Sequence, residues 1–314
     1  MSCSRGSDGS PVAPGESTKG SDVGLRPFLA AGVDPVSNCT VPTVPPADSV
    51  NLVTRKYATV NGLPMKLDLA YPKRGGPHPL VVVVHGGHWN ADTRVSVRNV
   101  IRLLAGQGYA AAAPDYRLAA APNNVFPAAV QDVRCAVRWL KANGSTYGVD
   151  VVNVASYGFG AGGHLASMLG TSSDVAGLDG ACATPGSPAV NAVVSLAGTH
   201  DLRDGAPMSP ELLSDITNFL GAPPSDVPQA AALASPLVHV GSSDPDYLLI
   251  QRTLDPLNPV AQSRNMKAAL DAAGVPATLV ELTGSGHSFN PFGSSRSMRV
   301  SACTIMAFLD QQLR

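Results

Sequence analysis

The chain has 314 residues, a formal net charge of −1, 44% apolar residues and only 14% charged ones. A balance so near neutrality offers no electrostatic footprint for nucleic acid or an anionic membrane surface. No run approaches the roughly 18 apolar residues that a membrane-spanning helix needs, and the length suits one large α/β domain with a sizeable core and a tail.

Residues 1–49 are dominated by Ser, Gly, Pro, Asp and Val without a sustained period. They are expected to form a flexible tether and lead-in, with residues 50–314 as the folded domain. Cys3, followed by small and polar residues, has the pattern of a mature bacterial lipoprotein, which predicts a lipid anchor there and an exported protein, cell-surface or secreted, with a cytoplasmic location as the alternative. Cys39, Cys135, Cys182 and Cys303 are read either as up to two disulfides in an oxidising compartment or as free thiols. None lies in a CxxC pair or in a His/Cys spacing suited to zinc, so no metal is expected.

Regular structure is predicted from residue 53 onward. Residues 53–60 and 65–71, around Asn61-Gly62, carry the signature of a hairpin with a type I′ turn. The wholly apolar run 80–84 reads as a strand buried on both faces. A helix follows over 94–105, a strand over 110–114 and a helix over 126–142. A strand is expected at 151–157, with a helix starting near Ala161. Residues 189–197, 247–250 and 277–282 supply further strands, and 260–273 and 296–313 further helices. Alternation of this kind predicts a mostly parallel sheet covered on both faces, with ligands bound beyond the carboxyl ends of its strands. The stretch 201–228 is long and mixed, and is expected to hold a short helix at 210–220 shaping the pocket rim.

Three segments fall at such strand ends. His85-Gly86-Gly87-His88-Trp89 follows the strand 80–84, and its small residues let backbone N–H groups approach a substrate oxygen, as an oxyanion hole requires. A plain glycine turn is the simpler alternative for that segment alone. Gly158-Phe159-Gly160-Ala161-Gly162-Gly163-His164 is a sharp strand-to-helix turn with the glycine frame of a nucleophile elbow, G-x-S-x-G, but with Gly160 where the serine belongs. The same residues satisfy G-x-G-x-x-G, but they stand far along the chain and no basic residue follows, so a dinucleotide site is the weaker reading. Asp255 and His287 each follow a predicted strand, and the order elbow, Asp, His is that of an acid and base converging on the elbow.

Taken together, these segments resemble the hormone-sensitive-lipase-like branch of α/β-hydrolases, above all its small carbohydrate and feruloyl or acetyl esterase members. HGGHW resembles their H-G-G-G-W, Asp115-Tyr116-Arg117-Leu118 their D-Y-R-L, and GFGAGGHLA their G-x-S-A-G-G-H-L-A. Thr253–Pro259 resembles the acid loop, and GSGHSF the final histidine turn. The resemblance runs from about residue 53 to the end and implies an α/β-hydrolase fold with a mostly parallel eight-stranded sheet, hydrolysing small-molecule or polymer-borne esters without a cofactor. It implies Asp255 and His287 as acid and base, and Gly87, His88 and Ala161 as oxyanion donors. Gly86 would shape the turn. Trp89 and Phe159 are the candidates for the substrate side, and Phe126, Phe289 and Phe292 could join them in lining an apolar pocket, although core packing suits any single one of the five better.

The chain departs from this pattern at three places. His88 replaces a glycine, which narrows the pocket mouth and leaves the backbone donor; Gln251-Arg252 stands where the family often has His-Gly. Gly160 cannot form an acyl-enzyme, and Ser156 and Ser167 are expected to pack away from the site. Either an esterase has had its serine replaced, or the chain is a natural pseudo-hydrolase that binds a ligand or uses His287 to activate water. A serine peptidase on this fold is the less fitting class, since such enzymes carry a large extra domain.

Overall fold

The computed structural model describes residues 39–287, 292 and 296–314. Residues 1–38 of the expected tether, Cys3 with its predicted anchor, and Phe289 lie outside the described residues. Strands β1 (Val50–Val60) and β2 (Leu63–Pro72) pair antiparallel. Asn61 and Gly62 between them both stand at positive φ, 51° and 77°, the left-handed pair that a type I′ turn demands.

Next come β3 (His78–Val84), α1 (Arg98–Gly106), β4 (Ala110–Pro114), α2 (Ala128–Asn143), β5 (Val149–Phe159), α3 (Ala161–Thr171) and β6 (Ala192–Leu196). Then α4 (Pro210–Leu220), α5 (Pro228–Leu233), β7 (Asp246–Leu254), α6 (Ala261–Ala272), β8 (Ala277–Ser285) and α7 (Arg296–Leu313) complete the chain. The sheet has eight strands in the order β1-β2-β4-β3-β5-β6-β7-β8. Strands β1, β2 and β4 pair antiparallel along one side, and every pair from β4 to β8 is parallel. This is the α/β-hydrolase sheet that the sequence resemblance predicts.

The apolar run of β3 shows why it reads as continuous rather than alternating. Leu80, Val82 and Val84 belong to the core on one face of the sheet, and Val81 and Val83 to the core on the other. A strand covered on both faces by helices has no polar side to expose. The expected helix over 94–105 is split: Arg94–Val97 forms a 3-10 turn and the α-helix begins only at Arg98. Thr93 caps the turn by accepting from the Val95 amide at 3.3 Å, a tightening common at helix starts.

Of the two readings of the cysteines, the structure takes the paired one. Cys39–Cys303 ties the lead-in to α7, and Cys135–Cys182 ties α2 to the loop after α3. Among the described residues no helix is long and apolar enough to cross a membrane.

Candidate active site

The register of the parallel strands gathers the chemistry at one edge. Val84 at the end of β3 lies opposite Gly158 near the end of β5, Phe159 opposite Leu196, Leu196 opposite Ile250, and Leu254 opposite Ser285. The His85–Trp89 turn after β3, the elbow after β5, Asp255 after β7 and His287 after β8 therefore emerge side by side. A cavity of about 360 Å³ opens there, lined by Gly86, Gly87, His88, Trp89, Phe159, Gly160, Ala161 and His287 among others. Asp255 stands behind His287, away from the cavity.

The elbow is built by crowding. A Cβ on Gly158 would stand 2.0 Å from the Gly162 carbonyl oxygen, and one on Gly162 2.2 Å from that of Val84. Side chains at these flanks would force the turn open. Gly160 itself sits at φ 55°, ψ −119° with its N–H donating to the Leu196 carbonyl at 2.9 Å. That conformation lies in the left-handed half of φ space, where glycine is at ease and a residue with a Cβ is strained. A Cβ built on Gly160 would lie 3.1 Å from His287 Nε2.

Asp255 and His287 are joined. His287 Nδ1 is 2.8 Å from Asp255 Oδ2. Gln251 Nε2 donates to the same oxygen at 3.0 Å, and the amides of Leu257 and Asn258 donate to Oδ1 at 2.9 and 3.0 Å. Burial pushes the Asp255 carboxyl up, but the hydrogen bond from His287 and then those from the Asn258 and Leu257 amides outweigh it, so it is held below the usual carboxylate range. The carboxylate is therefore ionised and fixed, able to orient the imidazole and to stabilise its charged form.

On the opposite side, Gly87 (φ 92°) and His88 (φ 55°) turn the backbone so that the chain doubles back, with the Asn90 and Ala91 amides bonding to the Gly87 carbonyl. A Cβ on Gly87 would stand 2.4 Å from the Ala91 oxygen, and one on Gly86 2.9 Å from the Phe159 oxygen. Ala161 is the first residue of α3, so its N–H belongs to the helix's unsatisfied first turn, where the dipole also favours negative charge.

The Asp115-Tyr116-Arg117 segment proves to be the scaffold for this turn. The Tyr116 hydroxyl donates to the carbonyls of His85 and Gly86 at 3.2 and 3.0 Å, and its ring stacks on that of His85 at 4.2 Å. Asp115 binds Arg94, and Arg117 binds Asp132 of α2. Trp89 lines the cavity but is otherwise buried, stacked on Phe219 and donating from Nε1 to His164 Nδ1 at 3.0 Å. His164 in turn donates from Nε2 to the Ala234 carbonyl at 2.8 Å, and burial pulls it down to about 4 against that bond. Phe159 lies against the His287 ring at 4.9 Å. Phe126 packs on Phe219, and Phe292 joins the core on the α7 face; neither lines the cavity.

Neither of the two serines that flank the elbow, Ser156 and Ser167, lines the cavity. Ser156 Oγ donates to the Ala166 carbonyl and Ser167 Oγ to that of Gly163, both at 2.9 Å and both buried. The sequence reading did not anticipate Gln251, Asn258 or Asp215. Asp215 of α4 holds His88 Nδ1 at 2.5 Å across the cavity mouth. Gln251 was legible only as a departure from the family pattern, and nothing in the local sequence marks Asp215.

An eight-stranded hydrolase sheet with these loops at its carboxyl edge defines an α/β-hydrolase of the hormone-sensitive-lipase-like type. More narrowly, the chain belongs to the BD-FAE family, whose model matches residues 67–270, well over half of the chain. It is 29% identical over 239 residues to Esterase LipC of Mycobacterium tuberculosis (strain ATCC 25618 / H37Rv), covering 75% of this chain and 59% of LipC. It is 28% identical over 241 residues to Esterase LipQ of the same organism, covering 74% of this chain and 55% of LipQ. The chain thus spans a little over half the length of these curated relatives. A solved structure of a truncated form of carbohydrate esterase from gut microbiota superposes with a TM-score of 0.73 at 24% identity, covering 85% of this chain and 98% of that one. At that identity the likeness speaks for the fold.

Proposed function

We propose that the cavity is a carboxylic-ester site of the acyl-transfer type that lacks its nucleophile. His287 is the base, Asp255 its orienter, and the amides of Gly87, His88 and Ala161 the oxyanion donors. One observation carries this reading. The Cβ position of Gly160 falls 3.1 Å from His287 Nε2, while His287 Nδ1 is engaged by Asp255 at 2.8 Å. A hydroxymethyl group there would place its oxygen within hydrogen-bond reach of the base after a shift of a few tenths of an ångström in the ring. In the serine form, that oxygen attacks the ester carbonyl, His287 takes its proton and returns it to the departing alcohol, and water repeats the sequence on the acyl-enzyme. Acid, base, oxyanion turn and elbow glycines are all retained, which favours an esterase disabled at a single residue over a protein remade for binding.

With Gly160 in place, no acyl-enzyme forms. Loss of the nucleophile in a serine hydrolase costs on the order of a million-fold in turnover and leaves about 10³–10⁴ over water. Feeble turnover of that order is the expected activity of this chain. Its two disulfides support a working location in an oxidising compartment, in keeping with export.

The test is Gly160→Ser. The variant is expected to hydrolyse p-nitrophenyl acetate with a burst and to bind one equivalent of a fluorophosphonate probe covalently. A folded Gly160→Ser protein that neither turns over nor takes the label would identify the chain as a natural pseudo-hydrolase.

A further inference from the structure

The chain departs from its family's pattern at Gly160 and at His88, and both residues line one cavity. His88 stands at φ 55°, where a residue with a Cβ costs on the order of 1–2 kcal/mol relative to glycine. Glycine would take this turn freely; here an imidazole takes it and projects its ring into the cavity mouth. The ring reaches across the mouth to α4, where Asp215 Oδ2 lies 2.5 Å from Nδ1. The His88 side chain is 49% exposed and that of Asp215 20%, so the pair is open to an incoming molecule. With Nδ1 engaged, Nε2 is the ring atom left for a ligand. A second His–carboxylate pair therefore borders the cavity that His287 and Asp255 already serve.

We propose that His88, held by Asp215, is a second catalytic imidazole of this site: the proton donor to the departing oxygen in an ester hydrolysis that uses water in place of the serine. The inference rests on the ester-site reading above. In the serine mechanism one imidazole suffices, because the proton it takes from the hydroxyl is the one it passes to the departing oxygen before the acyl-enzyme forms. With water as the attacking group, an acid standing apart from His287 can protonate the departing oxygen without waiting for the first imidazole to turn toward it. Water bonds to the carbonyl carbon as His287 Nε2 takes its proton, and the carbonyl electron pair moves onto the oxygen cradled by the amides. The tetrahedral species then collapses and the ester C–O bond breaks. The departing oxygen leaves with the proton from His88 Nε2. Carboxylic acid and alcohol are released, and the proton on His287 returns to His88 through solvent at the open mouth.

The experiment compares the unaltered chain with His88→Gly and Asp215→Asn on p-nitrophenyl acetate, phenyl acetate and ethyl acetate, with Gly160→Ser run alongside. The unaltered chain is expected to hydrolyse all three esters without a burst. His88→Gly should lower kcat/KM for ethyl acetate about 100-fold more than for p-nitrophenyl acetate, since only the poorer leaving group needs the proton. Asp215→Asn should move the same ratio in the same direction by a smaller factor. Equal losses on all three esters, the mark of a merely distorted oxyanion turn, overturn the assignment. So does an unaltered chain with no turnover above buffer. If Gly160→Ser turns over and takes the label while the unaltered chain does nothing, this inference fails and the ester-site reading stands; if neither acts on any ester, both fail.

Discussion

Two imidazole–carboxylate pairs flank one cavity, and they are built differently. Asp255 is buried and accepts from His287, Gln251 and the amides of Leu257 and Asn258, so both its oxygens are filled. Asp215 is a partly exposed side chain on a rim helix, and its contact with His88 joins that helix to the oxyanion turn. The first pair has a single geometry enforced from every side, as an orienting carboxylate needs. The second is a single short contact open to solvent and screened by water, which leaves the imidazole accessible to a substrate at the mouth. The same chemistry thus serves two purposes according to how completely its surroundings satisfy it.

Disabling each carboxylate in turn in the Gly160→Ser background separates the two pairs by the largest effect. Asp255→Asn is expected to lower kcat by about 10⁴-fold, because the imidazole loses its tautomer and its countercharge. Asp215→Asn should cost far less there, since His287 alone then serves both proton transfers; equal losses in a p-nitrophenyl acetate assay would erase the distinction.

The buried imidazoles extend the contrast. His164 and His200 are fully buried, and burial lowers them to about 4 and about 3, with the nearby His164 adding to the shift at His200. Both are neutral in the fold but take up a proton in the unfolded chain near the ordinary imidazole value of 6.5. Their contribution to stability is therefore complete above about pH 6.5 and is lost as pH falls toward 4, then 3. The unfolding free energy from denaturant titrations should drop across that window by an amount on the order of a few kcal/mol. A flat profile from pH 7 to 4 would show that neither ring resists protonation.

Gln251→Leu tests how much of the first pair's rigidity comes from its neighbours. Removing one donor from a buried carboxylate is expected to destabilise by about 1.5–3 kcal/mol, readable as a lower Tm. The smallest effect concerns Gly160. Gly160→Ser should itself cost about 1–3 kcal/mol through backbone strain at its φ of 55°. A variant with an unchanged or raised Tm would mean that the hydroxyl's bond to His287 offsets the strain in full.

Much of the scaffold was readable from local pattern. The Asn61-Gly62 hairpin, the two-faced apolar run of β3, the alternation of strands and helices and the glycine frame of the elbow are each dictated by sterics and burial over a few residues. The strand ends carrying Asp255 and His287 followed from that alternation, and the family resemblance gave them their roles. The late start of α1 was not readable, because the cap on Thr93 and the 3-10 turn compete on fractions of a kcal/mol. Which cysteines pair was likewise open, since pairing depends on where α7 and α2 lie in space.

The fold class, the strand-end placement of Asp255 and His287, and a glycine at the centre of the elbow were legible in the residues alone, because these follow from short-range periodicity and from residue identity. Tertiary structure alone decided that Gln251 supports Asp255, that Tyr116 braces the oxyanion turn, and that Asp215 meets His88 from 127 residues away along the chain. Contacts of that kind are set by how helices seat on a twisted sheet, and no local stretch of residues encodes that distance.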